Sequence, residues 1–194
     1  ARRPNIEIDV KETGAADVEL LRRGETDVLV DHIPRLPDDI AAIEVARVRP
    51  YLVLPVKHKA ASASRWTPAH LHDERFVAYV PERGHHQLQM QALAAFGLTP
   101  RGFLHASTSE AILGLVEAGL GYSFVPSLEK KGPGSRNIAA RLLSEERYFP
   151  VWLAWRKFGP ANPLIEALIA EAPRYDAAGR RRSRRRVDGR GRVA

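Results

Sequence analysis

No cysteine occurs among the 194 residues, which excludes both a disulfide framework and a thiolate metal site. No apolar run approaches the roughly 20 residues of a membrane span. The opening Ala1-Arg2-Arg3-Pro4 leads straight into a strand pattern, with no secretion signal in view. A cytoplasmic protein with no membrane partner is the expectation. Metal-binding patterns are missing as well. His70 and His72 stand two apart and His85 and His86 are adjacent, and neither spacing matches HExxH or a tetrahedral ligand set. Capping or solvated histidines are therefore expected, with no metal and no cofactor. Ser107, Ser109 and Ser123 lie in no G-x-S-x-G elbow, and nothing places a base beside them. Gly119-x-Gly121 closes a helix rather than opening one, so it is not a dinucleotide fingerprint. An enzyme is not expected.

Charge is also scarce where it would matter. The formal net charge is +7, but eight arginines and one aspartate from Arg180 onward supply all of that surplus, and the preceding residues sum to zero. A neutral body does not support a nucleic-acid-binding face. The tail has no apolar face, and residues 175–194 are expected to be disordered, touching nucleic acid only electrostatically. The 44% hydrophobic and 27% charged residues are ordinary for a globular chain. At this length it can bury a sizeable core, as one large domain or two small lobes.

The most informative stretch runs from Ser107 to Pro126. Ser107 followed by Glu110 has capping-box spacing. Ile112, Leu113, Leu115, Val116 and Leu120 then recur at helical spacing on one face. Gly119 and Gly121 end the helix. Tyr122 to Val125 reads as a buried strand that Pro126 stops. A helix start rich in hydroxyls suits a carboxylate or phosphate. On the residues alone, capping by Ser107, Thr108 and Ser109 is the simpler reading, because a cap needs no ligand.

Elsewhere, Ile6, Ile8 and Val10 alternate with acidic residues, as in a half-exposed strand. A short helix carries Val18, Leu20 and Leu21, and Gly24 follows its end. Val28 to Val30 is a continuous apolar run, as in a covered sheet, so the start reads as a βαβ unit. Ile43 to Val48 and Tyr51 to Val56 read as two strands, Ala60 to Pro68 as a connector, and Leu71 as a helical turn. Phe76 to Val80 reads as a strand, Gly84 to Phe96 as a helix closed by Gly97, and Gly102 to Ala106 as another strand. Ile138 to Leu143 and Val151 to Trp155 are further strands. Asn162-Pro163 opens a last helix, which Pro173 stops.

The run Leu115-Val116-Glu117-Ala118-Gly119-Leu120-Gly121, closing at Val125-Pro126, resembles the signature of the effector-binding domain of LysR-type transcriptional regulators. Gly24, Glu25 and Asp27, then Leu54-Pro55 with His58, then Leu71, Glu74, Arg75 and Phe76, then Gly97 with Pro100, agree in order. The resemblance spans about Arg3 to Pro173.

The resemblance implies an α/β, two-lobed, type 2 periplasmic-binding-protein-like fold with Rossmann-like lobes. Lobe I would comprise residues 1–55 and 127–174, and lobe II residues 56–126. It implies a small-molecule effector, polar or anionic, bound between the lobes to control transcription. The effector contacts would fall at Thr13 and Gly14, at His32, at His85 and His86, and at Ser107, Thr108 and Ser109. The family's winged helix-turn-helix, through which it contacts DNA, has no counterpart in these residues. The sensor's own opening strand and helix have none either, so the first lobe is expected to be truncated, leaving uncovered strand edges and making the family's homo-oligomer doubtful for this chain. A transporter's solute-binding protein and a small hydrolase are the alternative readings.

Overall fold

One strand sets the architecture of the computed structural model, which describes residues 6–12, 16–82, 84–160 and 162–172. This strand, β2 (Ile40–Pro55), is 16 residues long. Its first half pairs antiparallel with β7 (Phe149–Arg156), from Ile40↔Arg156 to Val48↔Phe149, with a register shift between Glu44 and Ala46. Its second half lies between two other antiparallel partners. β5 (Ser123–Ser127) pairs with Arg49 to Val53. β6 (Ile138–Leu142) pairs with Tyr51 to Pro55. On the far side of β7, β1 (Leu29–Asp31) completes the sheet.

A second, parallel pair is formed by β3 (Arg75–Tyr79) and β4 (Gly102–Ala106), joined by helix α3 (Gly84–Ala95) in a βαβ crossover. It docks onto the residue that leads into β5. Val77 N–H donates to the Tyr122 carbonyl at 2.8 Å, and Tyr122 N–H donates to the Arg75 carbonyl at 3.0 Å. The approach leaves no room for a side chain at Gly121, where a Cβ would lie 2.4 Å from the Arg75 carbonyl oxygen.

Alternation along β2 explains the two apolar layers. Tyr51 and Val53 face one way and meet Ile112 and Val116 of helix α4 (Ser109–Glu117), with Val77, Tyr79 and Val125. Leu52 and Leu54 face the other way and meet Leu93 of α3, with Phe76, Ala78 and Phe124. Both faces are covered, which is why this segment reads as an unbroken apolar run. Ile112 and Val116 are fully buried, each worth about 1.5–3 kcal/mol of transfer free energy. A third layer joins Leu21 of α1 (Val18–Arg22) to Leu29, Ile33, Ile40 and Ala154. The short helix α2 (Lys59–Ser62) and a 3₁₀ turn over Pro68–Leu71 follow β2, and α5 (Pro163–Glu171) closes the described chain, capped by Asn162.

Several expectations need correction. Residues 6–12 form no strand, and Ile8 and Val10 are 68% and 85% exposed. Alternation supplies a face, but a strand also needs a ladder partner, and none is present among the described residues. β1 is therefore an edge rather than a covered strand, Val30 is 58% exposed, and the first βαβ unit is not formed.

The two strands expected on either side of Pro50 are a single strand, and Pro126 does not stop β5. Pro50 and Pro126 face each other in register. The Pro50 carbonyl accepts from Leu143 N–H at 3.0 Å, on the edge away from β5. In an antiparallel strand a residue's nitrogen points to the same edge as its carbonyl, so neither proline removes a β2–β5 bond.

Ala60 lies on α2 rather than in a plain connector, and Leu120 is 41% exposed rather than in the core face. Thr13, Gly14, Pro173 and the arginine tail lie outside the described residues.

Candidate functional site

Helix α4 begins one residue later than Ser107–Glu110 spacing suggests. Thr108, extended at φ −130° and ψ 158°, is the N-cap, and its Oγ1 accepts from Ala111 N–H at 3.2 Å. Ala111 therefore stands where a capping box needs Glu or Gln. Ser107 is exposed. Ser109 does not cap the helix, and its Oγ lies 2.6 Å from the Tyr79 hydroxyl at the end of β3.

Tyr79 forms part of the wall of a cleft of about 60 Å³, where β2, β5, β7 and α3 converge. Val48 and Pro50 of β2 and Val125 and Pro126 of β5 line it from the strands. From α3 come His85, Leu88, Gln89 and Ala92. His85 packs against the Tyr79 ring, with centroids 5.2 Å apart. From the β1 and β7 side come His32 and Phe149, edge to face at 5.4 Å.

His32 is held in place twice over. Its backbone N–H donates to Asp31 Oδ1 at 2.6 Å. Its Nδ1 lies 2.9 Å from the Pro150 carbonyl. A carbonyl only accepts, so Nδ1 carries the proton, and in the neutral ring the acceptor nitrogen is Nε2.

Gln89 is buried and fully engaged. Its Oε1 accepts from Tyr79 N–H at 2.8 Å. Its Nε2 donates to the Phe124 carbonyl at 2.8 Å and to Ser123 Oγ at 3.2 Å. Ser123 Oγ in turn donates to the Val77 carbonyl at 2.6 Å. The amide thus ties β3 to β5 through α3 and fixes the cleft wall, since a buried amide left unpaired costs about 1–3 kcal/mol.

Of the residues singled out from sequence, His32 and His85 stand in this wall, and Ser109 stands one hydrogen bond behind it, through Tyr79. His86 turns toward His105, with centroids 6.2 Å apart, and is not in the wall. Ser107 and Thr108 do not line it. Other histidines do cap: His58 Nδ1 accepts from Ala60 N–H and His70 Nδ1 from Thr67 N–H. Tyr79, Gln89 and Phe149 were missed by sequence reading. Gln89 left no signal of its own, since it alternates with Gln87 and Gln91 along α3 and only the fold buries it.

A family model described as the LysR substrate binding domain matches residues 1–176. The HTH-type transcriptional regulator AlsR of Bacillus subtilis (strain 168) is 30% identical over 172 residues, covering 86% of this chain and 56% of AlsR. The chain thus spans about half the length of the curated relatives it matches, 56% and 55% of two of them. Among solved structures, the CcmR regulatory domain of Synechocystis PCC6803 in complex with 2-PG superposes with a TM-score of 0.74 at 17% identity, over 90% of this chain and 88% of that one. HinK, a LysR family transcriptional regulator from Pseudomonas aeruginosa, superposes with a TM-score of 0.64 at 20% identity, over 80% of this chain and 55% of that one. At these identities the structures speak for the fold, which is α/β and of the type 2 periplasmic-binding-protein kind. The match across residues 1–176 settles the family: this chain belongs to the LysR substrate-binding domains.

Proposed function

We propose that the chain is the ligand-sensing part of a bacterial transcription regulator, binding a small-molecule effector in the cleft bounded by His32, Tyr79, His85 and Phe149. The observation that carries this reading is the position of the cleft. It lies where β2 changes partners, from β7 to β5 and β6, so its walls come from different apolar layers. Packing supports placing the lobe crossings there. The outward crossing falls at Arg49–Pro50 of β2, before the Leu54–Pro55 boundary read from sequence. The return falls between Leu142 and Phe149, beyond the boundary at residue 126.

The effector carries one polar or anionic group, directed at the Tyr79–Ser109 pair and the histidines. Thr13, Gly14, His86, Ser107 and Thr108 add to the rim if the lobes close further. The mechanism is a population shift: a ligand touching both lobes favours one inter-lobe angle in proportion to its differential affinity. In a complete regulator, a homo-oligomer working in the cytoplasm, that angle re-aims a helix-turn-helix domain on DNA. Family membership supports a regulator rather than an enzyme.

The test is a reporter driven by a regulator carrying this chain. Leu88→Asp, which puts a carboxylate in the apolar wall, abolishes the effector response, while Gln91→Ala on the exposed side of α3 keeps it. A Leu88→Asp regulator that responded like the parent would contradict the reading.

A further inference from the structure

Strand β2 is continuous, but the chain that pairs with it is not. β6 ends at Leu142, opposite Tyr51, and β7 begins at Phe149, opposite Val48. Between them the chain has six residues, 143–148, where β2 has only Arg49 and Pro50. Leu143, which opens this excursion, and Phe149, which follows it, both line the cleft.

Three contacts hold the excursion against β2. At its start, Leu143 N–H donates to the Pro50 carbonyl at 3.0 Å. Near its middle, Glu145 Oε2 lies 3.6 Å from Arg49 Nη1. At its end, the Arg47 guanidinium lies over the Tyr148 ring, 4.4 Å from the centroid. Glu44 Oε1 accepts from Arg47 Nε at 2.5 Å and fixes that guanidinium. Within the excursion, Ser144 Oγ accepts from Glu146 N–H at 3.3 Å and from Arg147 N–H at 3.2 Å, which closes the turn. Val48, between the two arginines, lines the cleft, so alternation along β2 puts Arg47 and Arg49 on the face away from it.

On the two-lobe reading, we infer that Arg47 and Arg49 are positioning residues that set the resting angle between the lobes. They stand outside the cleft wall and act by holding the excursion, and with it Leu143 and Phe149, against β2.

Chain length alone does not fix that angle. Six extended residues can span about 20 Å, far more than the two residues of β2 that they bypass. The side-chain contacts therefore decide how closely the excursion follows β2. Each is weak, as exposed ion pairs and exposed cation–π contacts are. Weakness suits the role. A ligand shifts an equilibrium only by its differential affinity for the two states, so a restraint that a small molecule reverses has to be of comparable size.

The experiment reads the inter-lobe distance by pulsed electron–electron double resonance, without ligand, on the chain spin-labelled at Asp27→Cys and Ala94→Cys. Tyr148→Leu removes the ring under Arg47, and Glu145→Arg turns the ion pair with Arg49 into a repulsion. Tyr148 is 44% exposed and the Glu145 side chain 81%, so both variants keep the fold. Each is expected to change the balance of label separations by about two- to fivefold, the bias that one exposed cation–π contact or ion pair supplies. Tyr148→Phe, which keeps a ring under Arg47, should give the parent's distribution. Arg49→Glu added to Glu145→Arg should restore it. A parent-like distribution for both Tyr148→Leu and Glu145→Arg overturns the inference. So does a Tyr148→Phe distribution displaced as far as that of Tyr148→Leu. Both results leave the cleft reading standing, since no ligand enters the measurement, and that reading falls only with the Leu88→Asp reporter.

Discussion

Pro50 of β2 and Pro126 of β5 face each other across an antiparallel ladder, and the strands run through both. Their nitrogens point away from the shared edge, so the β2–β5 ladder needs no donor from either. The proline rings instead help line the cleft. Pro50→Ala is therefore expected to cost only about 0.5–1 kcal/mol, mainly through added freedom in the unfolded chain. Urea denaturation should show a lower midpoint with an unchanged m-value. A loss above about 3 kcal/mol would mean that the ring's packing, rather than backbone entropy, dominates.

The three hydroxyls at the start of α4 should separate cleanly. Thr108→Ala removes the observed cap and is expected to cost about 0.5–2 kcal/mol. Ser107→Ala, at an exposed position without that role, should stay within about 0.5 kcal/mol. Ser109→Ala removes the hydrogen bond to the Tyr79 hydroxyl and should cost about 0.5–1.5 kcal/mol. The order is read from chemical denaturation of the three variants. A Ser107 effect larger than that of Thr108 would restore the cap to Ser107.

These hydroxyls mark where sequence reading succeeded and where it failed. The α4–β5 stretch was legible because its signals are local: apolar residues at helical spacing, then glycines at positive φ, with Gly119 at 77°. The cap was displaced by one residue because Ser107 and Thr108 are chemically interchangeable, and the choice depends on which backbone turns. Pro50 and Pro126 looked like breakers because the edge that a proline faces is decided by neighbours far along the chain. Ile6, Ile8 and Val10 have the alternation of a strand, yet no pattern within one segment supplies a partner. The cleft wall was half legible. His32 and His85 stood out as polar residues at element ends, whereas Phe149, Leu143 and Val48 look like ordinary core residues until the strands converge.

Tyr122 carries a pH dependence that can be isolated. Its hydroxyl is buried without a hydrogen-bond partner among the described residues, against Phe76 and Phe124. Burial, with a smaller contribution from Glu74, pushes its pKa up from 10 to about 12. The unfolded chain therefore loses this proton first. The associated stability is fully present below pH 10 and is lost as the pH rises toward 12, by about 2–3 kcal/mol for a shift of this size. Tyr122→Phe should raise stability at pH 7 by about 1 kcal/mol, because an unpaired buried hydroxyl is costly. Its advantage over the parent should widen between pH 10 and 12. An advantage that stays constant over that range would contradict the shift.

The central claim, that a ligand in the cleft biases the angle between two lobes, is tested most directly by a distance. The absence of native cysteine allows clean double labelling. Asp27→Cys, beside β1, and Ala94→Cys, on α3, place spin labels at exposed positions on opposite sides of the cleft. Pulsed electron–electron double resonance then reads the label separation without ligand and with a saturating small molecule to which the regulator's reporter responds. The account predicts a shift in the distance distribution on binding, and none when Ala92→Phe fills the cleft. A distribution unchanged by a ligand shown to occupy the cleft would contradict it.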